Sequence, residues 1–197
     1  GTWLAPASVE KDHWDAFVDI SRDQGRTWSK SERVPLRRFS DQGSHGEVSG
    51  RTALESCVKG KGVIQPTLWE SKPGTVHMFL RSTEGCIYRS DSHDGGRRWC
   101  TAYPSGLPSN NSGIDLVRLG SGRLALAYNP VGINWGPRTP LVLSLSSDNG
   151  LTWKEEMTLE DGAGEYSYPA IEAQGETIYL TYTWKRETIA FWKVKLA

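Results

Sequence analysis

Beyond residue 62 the chain is a succession of short segments in which apolar and polar residues alternate. The first group spans 62–70 (GVIQPTLWE), 76–82 (VHMFLRS), 86–91 (CIYRSD) and 101–104; the second spans 113–119 (GIDLVRL), 124–129 (LALAYN), 140–146 (PLVLSLS) and 154–159. A third group is 166–172 (YSYPAIE), 177–184 (TIYLTYTW) and 189–195 (IAFWKVK). Each has the length, period-two alternation and β-branched or aromatic content of a strand, and no stretch carries a helical period. The pattern predicts an all-β chain with two complete four-strand units, at 62–108 and 112–161. A partial unit at 1–36 precedes them and a three-strand unit at 164–197 follows. Residues 37–61, rich in Gly, Ser and charge, read as a long loop between units.

A repeat punctuates these groups. Ser21-Arg22-Asp23-Gln24-Gly25-Arg26-Thr27-Trp28 recurs as Ser92-His93-Asp94-Gly95-Gly96-Arg97-Arg98-Trp99 and as Ser146-Ser147-Asp148-Asn149-Gly150-Leu151-Thr152-Trp153. The shared form is S-x-D-x-G-x-T/R-W, the Asp-box. Its aspartate accepts backbone N–H groups of a tight turn, its glycine takes the left-handed conformation, and its tryptophan folds over the hairpin. The tryptophans stand about 70 and about 55 residues apart, close to the four-strand period of a propeller blade. The fold expected is therefore a β-propeller, six-bladed when complete, of which this chain supplies three to four blades. It reads as the C-terminal half, or slightly more, of a larger propeller. Its open strand edges call for self-association or for completion by missing N-terminal blades. The box aspartates sit on the outer rim and are read as structural.

Composition refines this picture little. Nine Trp and 21 Gly suit tight-turned β structure. Lys+Arg and Asp+Glu both number 23, which points to no nucleic-acid or acidic-membrane partner. No apolar run is long enough to span a bilayer. No secretory leader opens the chain, but its start reads as cut rather than natural, so a secreted or extracytoplasmic location stays open. Cys57, Cys86 and Cys100 form no CxxC and lie near no His pair, so neither a zinc site nor any other cofactor is expected. Cys86 and Cys100 flank one box and are a candidate pair in an oxidising compartment; buried thiols are the plainer reading. His13, His45, His77 and His93 are scattered without ligand spacing and are read as surface or turn residues.

Several segments resemble the Asp-box (BNR-repeat) sialidase-like family: 5–10 (APASVE), 64–70 (IQPTLWE), 111–115 (NSGID), 138–141 (RTPL) and 164–169 (GEYSYP). With the three boxes, the likeness covers nearly the whole chain apart from the 37–61 loop. The resemblance implies a glycoside hydrolase that binds a substrate carboxylate with three arginines and uses a tyrosine nucleophile activated by glutamate. A carboxylate nucleophile would be repelled by the carboxylate beside the anomeric carbon, whereas a neutral phenol is not. Arginine forks suit the carboxylate.

Carried onto this sequence, the resemblance makes Tyr166, in Gly-Glu-Tyr-Ser, the candidate nucleophile and Arg138 one member of the arginine set. Arg81 or Arg89 is a second member, the register leaving both open. Where the family opens a strand with Glu-Pro-Thr, this chain has Gln65-Pro66-Thr67, and a glutamine can orient a phenol but cannot take its proton. Glu165 is a substitute base, although strand neighbours point to opposite faces. Glu10, Asp115 and Asn111 are further inward candidates for binding substrate. Trp69, Trp135 and Trp184 are read either as sugar-stacking faces or as packing between blades. The family's remaining arginine and aspartate general acid fall outside this sequence. The leading expectation is removal of a terminal acidic sugar from a glycan. A polysaccharide lyase acting on uronates and a non-catalytic glycan- or protein-binding propeller are the alternatives.

Overall fold

The computed structural model describes residues 1–39 and 57–196. Most of the predicted 37–61 loop lies outside the described residues, as does His45. Among the described residues, fourteen strands form four antiparallel sheets. The first sheet holds β1 (Trp3–Glu10), β2 (Trp14–Ser21) and β3 (Ser29–Lys30). The second holds β4 (Val63–Lys72), β5 (Thr75–Ser82), β6 (Cys86–Ser92) and β7 (Tyr103–Pro108). The third holds β8 (Asp115–Arg118), β9 (Leu124–Tyr128), β10 (Leu141–Ser146) and β11 (Lys154–Glu160), and the fourth β12 (Tyr166–Gln174), β13 (Thr177–Trp184) and β14 (Thr188–Lys195). Strand order follows chain order in every sheet, as in propeller blades, and the set does not close into a ring.

The strand reading needs one shift. The segment expected at 101–104 begins its ladder only at Tyr103, because Ala102 N–H is given to the Pro35 carbonyl of the first blade at 2.8 Å.

Apolar faces meet between neighbouring sheets in three cores. Ala16, Val18 and Ile20 pack on Val63, Met78, Leu80 and Tyr88. Trp69, Phe79 and Ile87 pack on Leu116, Leu124, Leu126 and Val142. Ala125, Ala127, Leu141 and Leu143 pack on Tyr166, Ile171, Ile178, Leu180 and Tyr182. Each fully buried aliphatic or aromatic side chain contributes roughly 1.5–3 kcal/mol, so the interfaces between blades carry the stability of the assembly.

The three boxes share one hydrogen-bond pattern. In the first, Ser21 Oγ donates to Asp23 Oδ1 at 2.8 Å and accepts Gly25 N–H at 2.8 Å, while Trp28 Nε1 donates to the Gly25 carbonyl at 3.0 Å. Ser92, Asp94, Gly96 and Trp99 repeat these bonds, as do Ser146, Asp148, Gly150 and Trp153. Hydrogen bonds from the turn hold the Asp23 carboxyl down at about 2, the Thr27 hydroxyl first and its backbone N–H next.

The third box is latched to the second blade through a buried polar cluster. His77, 5 % exposed, hydrogen-bonds Asp91 through Nδ1 and meets Ser71 Oγ at 2.8 Å and Asn149 Nδ2 at 3.2 Å through Nε2. Trp69 Nε1 donates to Asn149 Oδ1 at 2.8 Å, which fixes the amide so that its NH₂ faces His77. Arg89 bridges Asp91 Oδ1 at 2.9 Å and the Asn149 carbonyl at 2.9 Å. The expectation of a surface or turn role is thus corrected for His77; His13 and His93 are exposed.

Cys86 and Cys100 are free and lie at opposite ends of β6. Cys86 opens the strand, while Cys100 Sγ accepts Asp91 N–H at 3.2 Å near its other end. Five residues of extended chain, about 16 Å, lie between those two points, so they form no disulfide pair.

Candidate functional site

In the second blade, β4 starts with a bulge. Ile64 pairs with Arg81 and Thr67 with Phe79, leaving Gln65 and Pro66 outside the ladder. Pro66 has no N–H to give, and Gln65 takes φ +48°. The fourth blade does the same at β12: Ser167 pairs with Thr183 and Ala170 with Thr181, leaving Tyr168 and Pro169 out. Tyr168 has φ +53°. In the third blade Asn111, just before β8, has φ +61°. Three adjacent blades thus each hold a non-glycine residue in the left-handed region at or just before the start of the first strand, at a backbone cost of order 1–3 kcal/mol apiece.

These residues surround Arg81. The arginine sits near the end of β5 and is 4 % exposed. Its Nε donates to Asn111 Oδ1 at 3.0 Å, Nη1 to Gln65 Oε1 at 2.8 Å, and Nη2 to the Asn111 carbonyl. All three acceptors are neutral. Burial lowers the Arg81 pKa, Tyr168 and Glu10 act in the opposite sense, and Arg138 adds to the lowering.

Arg138 lies in the β9–β10 connection, next to the cis Thr139–Pro140 bond. Its backbone carbonyl accepts Tyr166 N–H at 2.9 Å, which ties that loop to β12. Nη1 donates to Glu165 Oε1 at 2.8 Å and Ser167 Oγ at 3.3 Å, and Nη2 to the Tyr168 hydroxyl at 3.4 Å. The guanidinium also lies over the Tyr168 ring, 4.9 Å from its centroid. Glu165 Oε2 in turn accepts Arg186 Nε at 2.8 Å. Burial pushes the Tyr168 phenol up, but the hydrogen bonds and charges of Arg138 and Arg81 outweigh it and bring the phenol below its ordinary value. Tyr168 is 48 % exposed, so this low-lying phenol is open to a ligand.

Several residues singled out from sequence meet here: Arg81, Arg138, Gln65, Glu165 and Asn111, with Glu10 within electrostatic reach of Arg81. Others do not. Tyr166 is 2 % exposed and packs in the core between the third and fourth blades; its hydroxyl donates to the Ala163 carbonyl at 3.4 Å. The tyrosine that meets both arginines is Tyr168, because the bulge throws it out of the alternation that buries Tyr166. Arg89 belongs to the His77 latch, so of the two open choices Arg81 is the one beside Arg138. Glu165 is held between two arginines and makes no hydrogen bond to a tyrosine hydroxyl.

Asp115 ties three inner strands together, accepting Thr67 Oγ1 at 2.8 Å, Leu116 N–H at 2.9 Å and Ile171 N–H at 3.0 Å. Asn111 spends its side chain on Arg81 and, through Nδ2, on Asn134 at 3.1 Å. Trp69 packs on His77 and Phe79, and Trp184 lies 6.5 Å from Tyr166, whereas Trp135 is 63 % exposed. Among the described residues no group of three His, Cys, Asp or Glu side chains is arranged to hold a metal ion. The sequence signal for Tyr168 was its proline: Gln65-Pro66 and Tyr168-Pro169 are the same device in two blades.

The fold recurs in solved structures. Trypanosoma rangeli sialidase, in complex with the inhibitor DANA, superposes with a TM-score of 0.65 at 13% identity, over 92% of this chain and 27% of that one. The NanB sialidase of Streptococcus pneumoniae gives 0.59 at 17%, over 100% and 31%. A protein of unknown function from Dyadobacter fermentans gives 0.64 at 17%, over 93% and 45%. The chain therefore spans about a quarter to just under half of the structures it matches. At these identities the likeness is one of fold. A comparison with curated protein sequences gives no match. The model of the BNR repeat-like domain matches residues 1–180, nearly the whole of the chain, and the protein belongs to that family of sialidase-like, Asp-box β-propellers.

Proposed function

We propose that this propeller carries part of the active site of a glycosidase that removes a terminal acidic sugar from a glycan. The observation that carries the reading is the exposed Tyr168 hydroxyl hydrogen-bonded by Arg138 Nη2 at 3.4 Å, with the Arg138 and Arg81 charges together lowering that phenol. Two guanidinium groups, one buried among neutral acceptors, make a receptor for a carboxylate. A phenol beside them is a nucleophile whose lowered pKa eases loss of its proton to solvent, and the two guanidinium groups offset the charge of the phenolate against that of the substrate carboxylate. Tyr168 is the reacting group in this reading; Arg81 and Arg138 bind and orient.

A second reading rests on Gln65. Its carbonyl oxygen is engaged by Arg81, and an amide cannot accept the phenol proton. A tyrosine activated by arginines alone is equally suited to removing a proton beside a uronate carboxylate, which is lyase chemistry. The full-length protein is to be assayed against aryl sialosides, aryl uronides, neutral aryl glycosides and uronate polymers. Aryl release from the acidic glycosides, lost in Arg138→Ala, supports the hydrolase. Appearance of ultraviolet-absorbing unsaturated product supports the lyase. Preference for neutral glycosides overturns both.

A further inference from the structure

We propose that Ser71 is an activated nucleophile that takes an acyl group from a short-chain ester, with His77 as its base and Asp91 orienting the histidine. This second site lies toward the opposite end of β5 from Arg81 and shares no residue with the arginine–tyrosine site, so the acidic-sugar reading stands or falls separately.

A bulge places the serine. β4 pairs Glu70 with Val76 and Lys72 with Thr75, which leaves Ser71 as the extra residue. Its Oγ meets His77 Nε2 at 2.8 Å, the one hydrogen bond of that hydroxyl among the described residues. His77 is 5 % exposed and stacks on Trp69 with ring centroids 5.0 Å apart, which holds the imidazole in place. At the other side of the ring, Nδ1 hydrogen-bonds Asp91 Oδ1.

The proton positions follow from these partners. Burial raises the Asp91 carboxyl, but hydrogen bonds from His77, Tyr103 and Arg89 keep it ionised. A carboxylate only accepts, so Nδ1 carries the hydrogen and Nε2 presents its lone pair. Ser71 Oγ–H therefore donates the 2.8 Å bond, the alignment that lets a histidine act as general base toward a serine. Asn149 Nδ2 meets the same ring nitrogen at 3.2 Å while Trp69 Nε1 holds its oxygen, and the second N–H of that amide is left for an oxyanion. Ser71 is half-buried, and Lys72, Pro73 and Asn149 beside it are exposed, so an ester approaches from solvent; no apolar channel is needed for a short acyl group.

In the reaction, Ser71 Oγ bonds to the carbonyl carbon of the ester as its proton passes to His77 Nε2. The tetrahedral intermediate then breaks the bond to the leaving oxygen, which takes that proton from His77 and departs as an alcohol. A water deprotonated by His77 attacks the acyl-serine, and Ser71 recovers its proton as the carboxylic acid leaves. Arg89 Nε shares Asp91 Oδ1 at 2.9 Å, so the carboxylate compensates the imidazolium only in part and turnover is expected to be slow.

The test treats the full-length protein with a small fluorophosphonate, native and denatured in urea, and locates the adduct by peptide mass spectrometry. Ser71 is expected to react at least about a hundredfold faster in the native protein, the low end of what a positioned base contributes. An aryl acetate is expected to release a burst of phenol stoichiometric with the protein, lost in Ser71→Ala. That variant removes a hydroxyl at a half-buried position and keeps the bonds of His77 to Asp91 and Asn149, so it is expected to melt with the parent. Equal labelling of native and denatured protein, no adduct on Ser71, an adduct without phenol release, or a burst that survives Ser71→Ala overturns the proposal.

Discussion

Gln65 and Tyr168 hold the same station in two blades. Each precedes a proline, each is the extruded residue of a bulge in its blade's first strand, and each has φ close to +50°. Gln65 receives Arg81, and Tyr168 receives Arg138. The site is thus assembled from equivalent positions of the second and fourth blades, with backbone strain locating the side chains and an arginine securing each, Arg81 from the next strand and Arg138 from the loop of the preceding blade.

The arginines give Tyr168 a titration of its own. Burial raises the phenols of Tyr88, Tyr103 and Tyr128, and raises Tyr182 to about 12, while Tyr168 lies below its ordinary value. The ultraviolet phenolate difference spectrum is expected to show a first step, as pH rises, that ends on one tyrosine. Tyr168→Phe removes that step, and Arg138→Ala moves it to higher pH. A first step that persists in Tyr168→Phe contradicts the assignment.

The His77–Asp91–Arg89 latch links stability to acid. Burial raises the Asp91 carboxyl, but hydrogen bonds from His77, Tyr103 and Arg89 win and leave it at about 2. A folded value below the unfolded one contributes stability above the ordinary carboxylate range, and that contribution is lost as pH falls through about 2. Asp91→Asn is expected to destabilise the protein by about 2–4 kcal/mol at neutral pH, the cost of breaking one partner of a largely buried charged cluster. It is also expected to flatten the acid limb. Denaturant melts from neutral pH to below pH 3 check both, and an unchanged acid limb would refute the latch.

Two glycines separate backbone strain from crowding. Gly95 and Gly150 both have φ near +75°, but a Cβ at Gly95 meets nothing within 4 Å, whereas one at Gly150 meets Trp69 at 3.3 Å, Arg89 at 3.4 Å and Leu124 at 3.5 Å. Gly95→Ala is expected to cost about 1 kcal/mol from its left-handed backbone alone. Gly150→Ala adds displacement of the blade interface and is expected to cost roughly 2–4 kcal/mol. Equal melting midpoints for the two variants would contradict the packing described.

Much of this architecture was legible in the chain because its signals are local. The three boxes, the alternating segments and the order of strands all follow from residues within a few positions of one another. Arg138 and Gln65 were readable for the same reason, each lying in a short segment of characteristic form. Tyr166 was singled out by the resemblance of its Gly-Glu-Tyr-Ser segment, and the bulge in β12 is what leaves Tyr168, rather than the buried Tyr166, beside Arg138. The proline after Tyr168, matching the proline after Gln65, carried that information. The role of His77 was not readable, since Asp91 and Asn149 reach it from 14 and 72 residues away. Arg81 and Arg89 could be told apart only once β5 and β6 had their faces assigned.

The most direct test of the account compares two neighbouring tyrosines. Steady-state turnover of the best acidic aryl glycoside by the full-length protein is to be measured for Tyr168→Phe and for Tyr166→Phe. Tyr168→Phe is expected to lower kcat by at least about a hundredfold with KM little changed, as loss of a reacting hydroxyl requires, while Tyr166→Phe stays within a few-fold of the parent. The reverse ranking, or full turnover in Tyr168→Phe, would contradict a site built on Arg81, Arg138 and Tyr168.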